Sequence, residues 1–152
     1  MKHYQITRRN KSSNDVYAEI SPEVKRWTWL ANRTSYNASV RDFVRGRNGV
    51  YAIRDKDSHD VLYVGESHTG RLWKTMLRHF QGQRTFEGIG EWTHPDHAQV
   101  QVQLYLTTSG ADAQDLELVI VSRLAPIEVR GMYATVWGDD VPPDDDEDPV
   151  PF

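Results

Sequence analysis

The chain has 152 residues, 38% hydrophobic and 11% aromatic, with a net charge of −4; this is enough for one domain with an ordinary core and too little for two. It has no cysteine, which excludes disulfides and thiolate zinc sites. No apolar run approaches the roughly 20 residues of a membrane span, and the opening MKHYQITRRN lacks a signal-peptide core, so a cytoplasmic protein without membrane contact is expected.

The charge is unevenly spread. Residues 1–48 carry ten Lys/Arg against four Asp/Glu, residues 49–138 eight against eleven, and residues 139–152 seven acids with no base. This divides the chain into a basic N-terminal extension (1–47), a central domain (48–138) and an acidic tail (139–152). A basic arm is the footprint of a nucleic-acid protein even where the whole chain is acidic.

In chain order, residues 1–14 are polar and basic, and read as mobile or as a strand edge. SPEVKRWTWLA opens with Ser21 as N-cap, Pro22 at the first helical position and Glu23 in the first turn, which predicts a short helix. Asn37 to Val44 predicts a second helix, with Val40, Phe43 and Val44 at spacings of three and four. Arg41, Arg45 and Arg47 lie on or near its far side, either as a solvated face or as a phosphate-contacting patch.

Two short strands follow, GVYAI (49–53) and VLYVG (61–65), joined by a polar turn at Asp55, Lys56, Asp57 and Ser58. Gly70 to Phe80 reads as a helix with Leu72, Met76 and Phe80 on its core side and Arg71, Thr75, Arg78 and His79 on another face. Residues 81–97 are rich in glycine and turn formers, hence a loop. Ala98 to Thr107 alternates, predicting a strand with Val100, Val102, Leu104 and Leu106 inward and Gln99, Gln101, Gln103 and Tyr105 outward. Ala111 to Leu124 predicts a helix ended by Pro126, with Glu117 set among Leu116, Leu118 and Val119. The close, DDVPPDDDEDPVPF, has little to bury and reads as a disordered tail. Together these elements predict an α/β (α+β) sandwich: a small central three-stranded antiparallel sheet flanked by helices, with a helical N-terminal extension.

At these residues the sequence resembles the GIY-YIG endonucleases. The first signature triplet stands as Gly49-Val50-Tyr51 and the second as Tyr63-Val64-Gly65. The match continues through Arg71 and His79 to Glu117, Leu124 and Pro126. The resemblance covers residues 48–130 and implies a divalent-metal-dependent DNA endonuclease that hydrolyses phosphodiester bonds with one Mg²⁺ or Mn²⁺ and no small-molecule cofactor.

By position it implies Tyr51 as general base or water-orienting group, with Tyr63 beside it. It gives His79 an assisting role in proton transfer, Arg71 the scissile phosphate and Glu117 the metal. Arg41, Arg45, Arg47, Lys74 and Arg78 would contact nucleic acid. Two positions depart from the family pattern. Thr75 stands where an arginine is usual one turn before the histidine, and Val129 stands where an asparagine is usual beyond the glutamate.

The chemistry is coherent in its own terms. Attack on a phosphodiester builds charge on its oxygens, which preorganised cations stabilise. Hard divalent ions take oxygen ligands and keep several waters, so one carboxylate plus the phosphate suffices. A free phenol titrates near 10, so a neighbouring cation, a metal-bound water or His79 must favour the Tyr51 phenolate or relay its proton. The arrangement requires Tyr51, Arg71, His79 and Glu117 to meet in one exposed hollow beside the hairpin. Two other readings stand beside it: a module that kept the fold and lost turnover, and an interaction protein whose acidic tail mimics nucleic acid or docks on a basic partner.

Overall fold

The protein is described by a computed structural model over residues 4–7, 17–80, 97–126 and 143–144. Its centre is a four-stranded antiparallel sheet in the order β3-β6-β4-β5, where β3 is Glu23–Trp29, β4 Asn48–Asp55, β5 Val61–Ser67 and β6 Val100–Thr107. A separate antiparallel pair is formed by β1 (Tyr4–Thr7) and β2 (Tyr17–Ile20). The helices are α1 (Ala38–Val44), α2 (Leu72–Leu77) and α3 (Gly110–Leu124), and a 3-10 turn, Arg78–Phe80, prolongs α2. The α+β class therefore holds, but the sheet has four strands where three were expected.

The fourth strand is the segment that reads as a helix. Glu23–Trp29 pairs antiparallel with β6, and the register shifts between Lys25 and Thr28. Such a bulge adds one residue to the two-residue alternation. Exposure along β3 consequently recurs every third residue, at Glu23, Arg26 and Trp29, which imitates a helical stripe. Pairing with β6 supplies backbone hydrogen bonds that a seven-residue helix would otherwise have to make within itself, and tertiary pairing overrides local propensity. Among the described residues the N-terminal extension thus holds three strands and one helix, α1.

Helix α1 starts where Asn37 holds it. The Asn37 side chain accepts a hydrogen bond from the Ser39 N–H at 3.0 Å and donates to the Trp29 carbonyl at 2.9 Å, tying the helix start to the end of β3. Buried side chains then fill both faces of the sheet. On one face Tyr51, Ile53, Tyr63, Val102 and Leu104 pack with Val40 and Val44 of α1 and Leu72, Trp73, Met76 and Leu77 of α2. On the other, Val50, Ala52, Val64 and Tyr105 pack with Ile20 and with Leu116 and Ile120 of α3.

The second face corrects the expectation for β6: Gln103 and Tyr105 are buried, and the Gln103 amide donates to the Tyr105 hydroxyl at 2.6 Å. Both faces of this sheet are covered, whereas alternation alone implies one wet face. The loop expected over 81–97 lies outside the described residues apart from its last position. Val129 and most of the acidic tail also lie outside them. No described helix is long and apolar enough to cross a membrane.

Candidate functional site: a phenol and an imidazole over a glycine

The register of the β4–β5 hairpin builds the site. Tyr51 pairs with Gly65 and Ile53 with Tyr63, so the two tyrosines sit diagonally on the same face of adjacent strands. Gly65 is what lets the Tyr51 ring lie across β5. A Cβ there would stand 2.5 Å from the Tyr51 hydroxyl and 2.7 Å from Tyr63 Cε2. Gly49 has a different duty, since a Cβ on it would overlap the Tyr105 carbonyl oxygen and push β4 off β6. The two signature glycines thus have separate steric reasons.

The 3-10 turn after α2 delivers the third member. His79 Nε2 lies 2.8 Å from the Tyr51 hydroxyl, and its ring centroid is 4.2 Å from that of Tyr63. The ring centroids of the tyrosines are 6.0 Å apart. Exposure is 0% for His79, 1% for Tyr51 and 4% for Tyr63. Of the four side chains expected to meet in an exposed hollow, Tyr51 and His79 come together, with Tyr63 beside them, and they do so inside the core. Burial holds the Tyr51 phenol well above its ordinary pKa, with further contributions from the charges of Tyr63, Glu117 and Glu66. The hydroxyl therefore keeps its proton near neutral pH and shares a hydrogen bond with His79 Nε2.

Glu117 reaches this group from another layer. It is 1% exposed on α3, the helix whose Leu116 and Ile120 cover the opposite face of the sheet. Its charge nonetheless acts on Tyr51. Gly65 lies on the edge strand β5, and α3 packs against β5 as well as β4. Glu66, which the sequence analysis does not single out, also acts on the phenol, and its carboxylate lies 3.1 Å from His68 Nδ1. A signal for it exists in the sequence: Glu66 and His68 are two apart directly after the second glycine, a same-face spacing on a strand that a search for helical spacing passes over.

The cations are dispersed. Arg71 caps the start of α2, half-buried, and its backbone N–H donates to Ser67 Oγ at 3.0 Å. Arg78 and Thr75 are also half-buried. Arg47 is exposed and Arg41 half-buried, with carboxylates of Glu23 at 3.5 Å and Asp42 at 3.7 Å respectively. Lys74 corrects the expectation of a surface contact, because it is buried on the core side of α2. Arg45 hydrogen-bonds to the backbone of Asp144.

Among the described residues no group of three or more His, Asp or Glu side chains could enclose a metal ion. Of the carboxylates whose charge acts on the phenol, Glu117 has the larger effect, and a carboxylate is the kind of oxygen donor that hard divalent ions take. No protein-family model matches the chain, and a search of curated proteins returns no match.

Proposed function

We propose that the protein is a divalent-metal-dependent DNA endonuclease of the GIY-YIG type, with Tyr51 and His79 as its proton-transfer pair. The observation that carries the reading is the 2.8 Å hydrogen bond between the Tyr51 hydroxyl and His79 Nε2, formed over Gly65 between the two signature triplets. A phenol that keeps its proton is a poor base alone. Joined to a neutral imidazole, it can accept a proton from water as its own passes to Nε2. Arg71 is the side chain proposed for the scissile phosphate, where a guanidinium offers two parallel donors. Arg41, Arg45, Arg47 and Arg78 are proposed to position the DNA backbone, and Glu117 to hold Mg²⁺ or Mn²⁺. That ion would supply charge at the phosphate oxygens.

The test is incubation with supercoiled, linear and branched DNA, with and without Mg²⁺ or Mn²⁺, beside Glu117→Ala. Cleavage is expected to need the ion and to fall by about 10²-fold or more in the variant, while DNA affinity stays within about twofold. Metal-dependent cleavage that survives Glu117→Ala would remove the proposed role of that carboxylate.

Burial favours a second reading. With Tyr51, Tyr63 and His79 sealed in the core and Glu117 on the far layer, the fold also suits a DNA-binding or interaction module with weakened catalysis. It predicts salt-sensitive association and no products with either ion. Under the nuclease reading the core must open locally for water to reach Tyr51.

A further inference from the structure

The acidic tail touches the domain at one described point, Asp144, a residue only 3% exposed although it lies in a run of charged neighbours. Its carboxylate accepts hydrogen bonds from three backbone N–H groups: Gly46 at 2.9 Å, Trp73 at 3.2 Å and Lys74 at 2.9 Å. Its own carbonyl accepts from Arg45 Nε at 2.9 Å. Gly46 and Arg45 belong to the turn after α1, and Trp73 and Lys74 to the first turn of α2. One aspartate thus joins two elements that precede it by 98 and 71 residues.

We propose that Asp144 is an anchor that holds the acidic tail against the cationic α1–β4 corner, where it competes with nucleic acid for that surface. The inference rests on the nucleic-acid reading above. Chain connectivity keeps the acids that follow within a short reach of this corner. Asp145, Asp146, Glu147 and Asp148 follow directly, and four residues span at most about 14 Å. Arg45 is bound by the anchor itself, and Arg41 lies one helical turn before it. Tethered carboxylates near these guanidiniums act at a high effective concentration, which a free polyanion must overcome.

Burial of the Asp144 carboxylate outweighs the combined effect of the three N–H donors and of Arg45, so its pKa is raised above the ordinary carboxylate value.

Two full-length variants test the idea. Asp144→Ala removes the anchor. A second variant keeps Asp144 but replaces Asp145, Asp146, Glu147 and Asp148 with Asn or Gln. Affinity for a fluorescent DNA duplex is measured at low and high salt, together with amide exchange at Gly46, Trp73 and Lys74 and the melting temperature. Both variants are expected to bind the duplex several-fold more tightly at low salt, about three- to tenfold, with the difference shrinking as salt screens it. Only Asp144→Ala is expected to lose protection at the three amides. If wild type binds and neither variant changes its affinity, the anchor is purely structural and the proposal falls. A lower melting temperature with weaker binding in Asp144→Ala, and no change in the second variant, overturns it equally. If no form binds duplex at low salt, the nucleic-acid reading falls, and the competition falls with it.

Discussion

At the scale of single residues, Gly65 decides whether Tyr51 can meet His79. In Gly65→Ala the new methyl would stand against the Tyr51 hydroxyl and the Tyr63 ring edge, so one or both rings must turn away. Overpacking of this kind costs about 1–3 kcal/mol, and it breaks the Tyr51–His79 hydrogen bond. We expect a lower melting temperature and, under the nuclease reading, a loss of cleavage like that of Tyr51→Phe. An unchanged melting temperature in Gly65→Ala would show that the strand has slack the packing does not suggest. Tyr51 carries a second prediction. Burial raises its folded pKa well above the ordinary phenol value, so above about pH 10 the unfolded chain releases a proton that the folded chain retains. The unfolded state then binds fewer protons, and stability must fall as pH rises. Urea unfolding followed from about pH 8 to about pH 11 should show that decline, and Tyr51→Phe should flatten part of it.

Individual elements were legible in proportion to how local their causes are. Helix α3 was legible up to Pro126 just past its end, and the structure adds its cap, the Ser109 hydroxyl, which accepts from the Asp112 N–H at 3.1 Å. The hairpin is legible from alternation and from the Asp55 turn. There the Asp55 carboxylate accepts the N–H groups of Asp57 and Ser58, both at 2.8 Å, which lowers its pKa. Strand β3 is misread from sequence because Ser21, Pro22 and Glu23 imitate a helix start, and its partner β6 lies far along the chain. Helix α3 also offers a test of its own. It ends on Ala125 in the left-handed region, φ 48°, a conformation that favours glycine. Ala125→Gly should stabilise the protein by about 0.5–1 kcal/mol, read as a rise in the urea midpoint. A fall would mean that the Ala125 methyl makes packing contacts that outweigh the backbone strain.

For the whole molecule, the basic extension and the central segment are one structure. Strand β3 pairs with β6, and Leu30, Val40 and Val44 are buried against Tyr51, Trp73 and Leu77. A chain beginning at residue 48 would expose the β6 edge and strip one face of the sheet. It is expected to lose cooperative unfolding and to aggregate. A soluble, cooperatively melting fragment 48–152 would show that the extension is a separable arm. The tail belongs to this scale as well: its charge invites a mobile segment, yet Asp144 is gripped by two helical corners.

Tyr51, Tyr63, His79 and Glu117 stood as candidates through the family resemblance; the sequence alone settled the α+β class, the hairpin and the positions of α1, α2 and α3. Each of these follows from near-neighbour periodicity, capping or a short motif. Only the tertiary structure decided that the sheet has four strands and two covered faces. It also decided that the phenol and imidazole meet inside the core, that Glu117 approaches from the other layer, and that Asp144 closes onto α2. Those outcomes depend on strand partners and burial set by residues far apart in the chain, whose joint packing energy no local window contains.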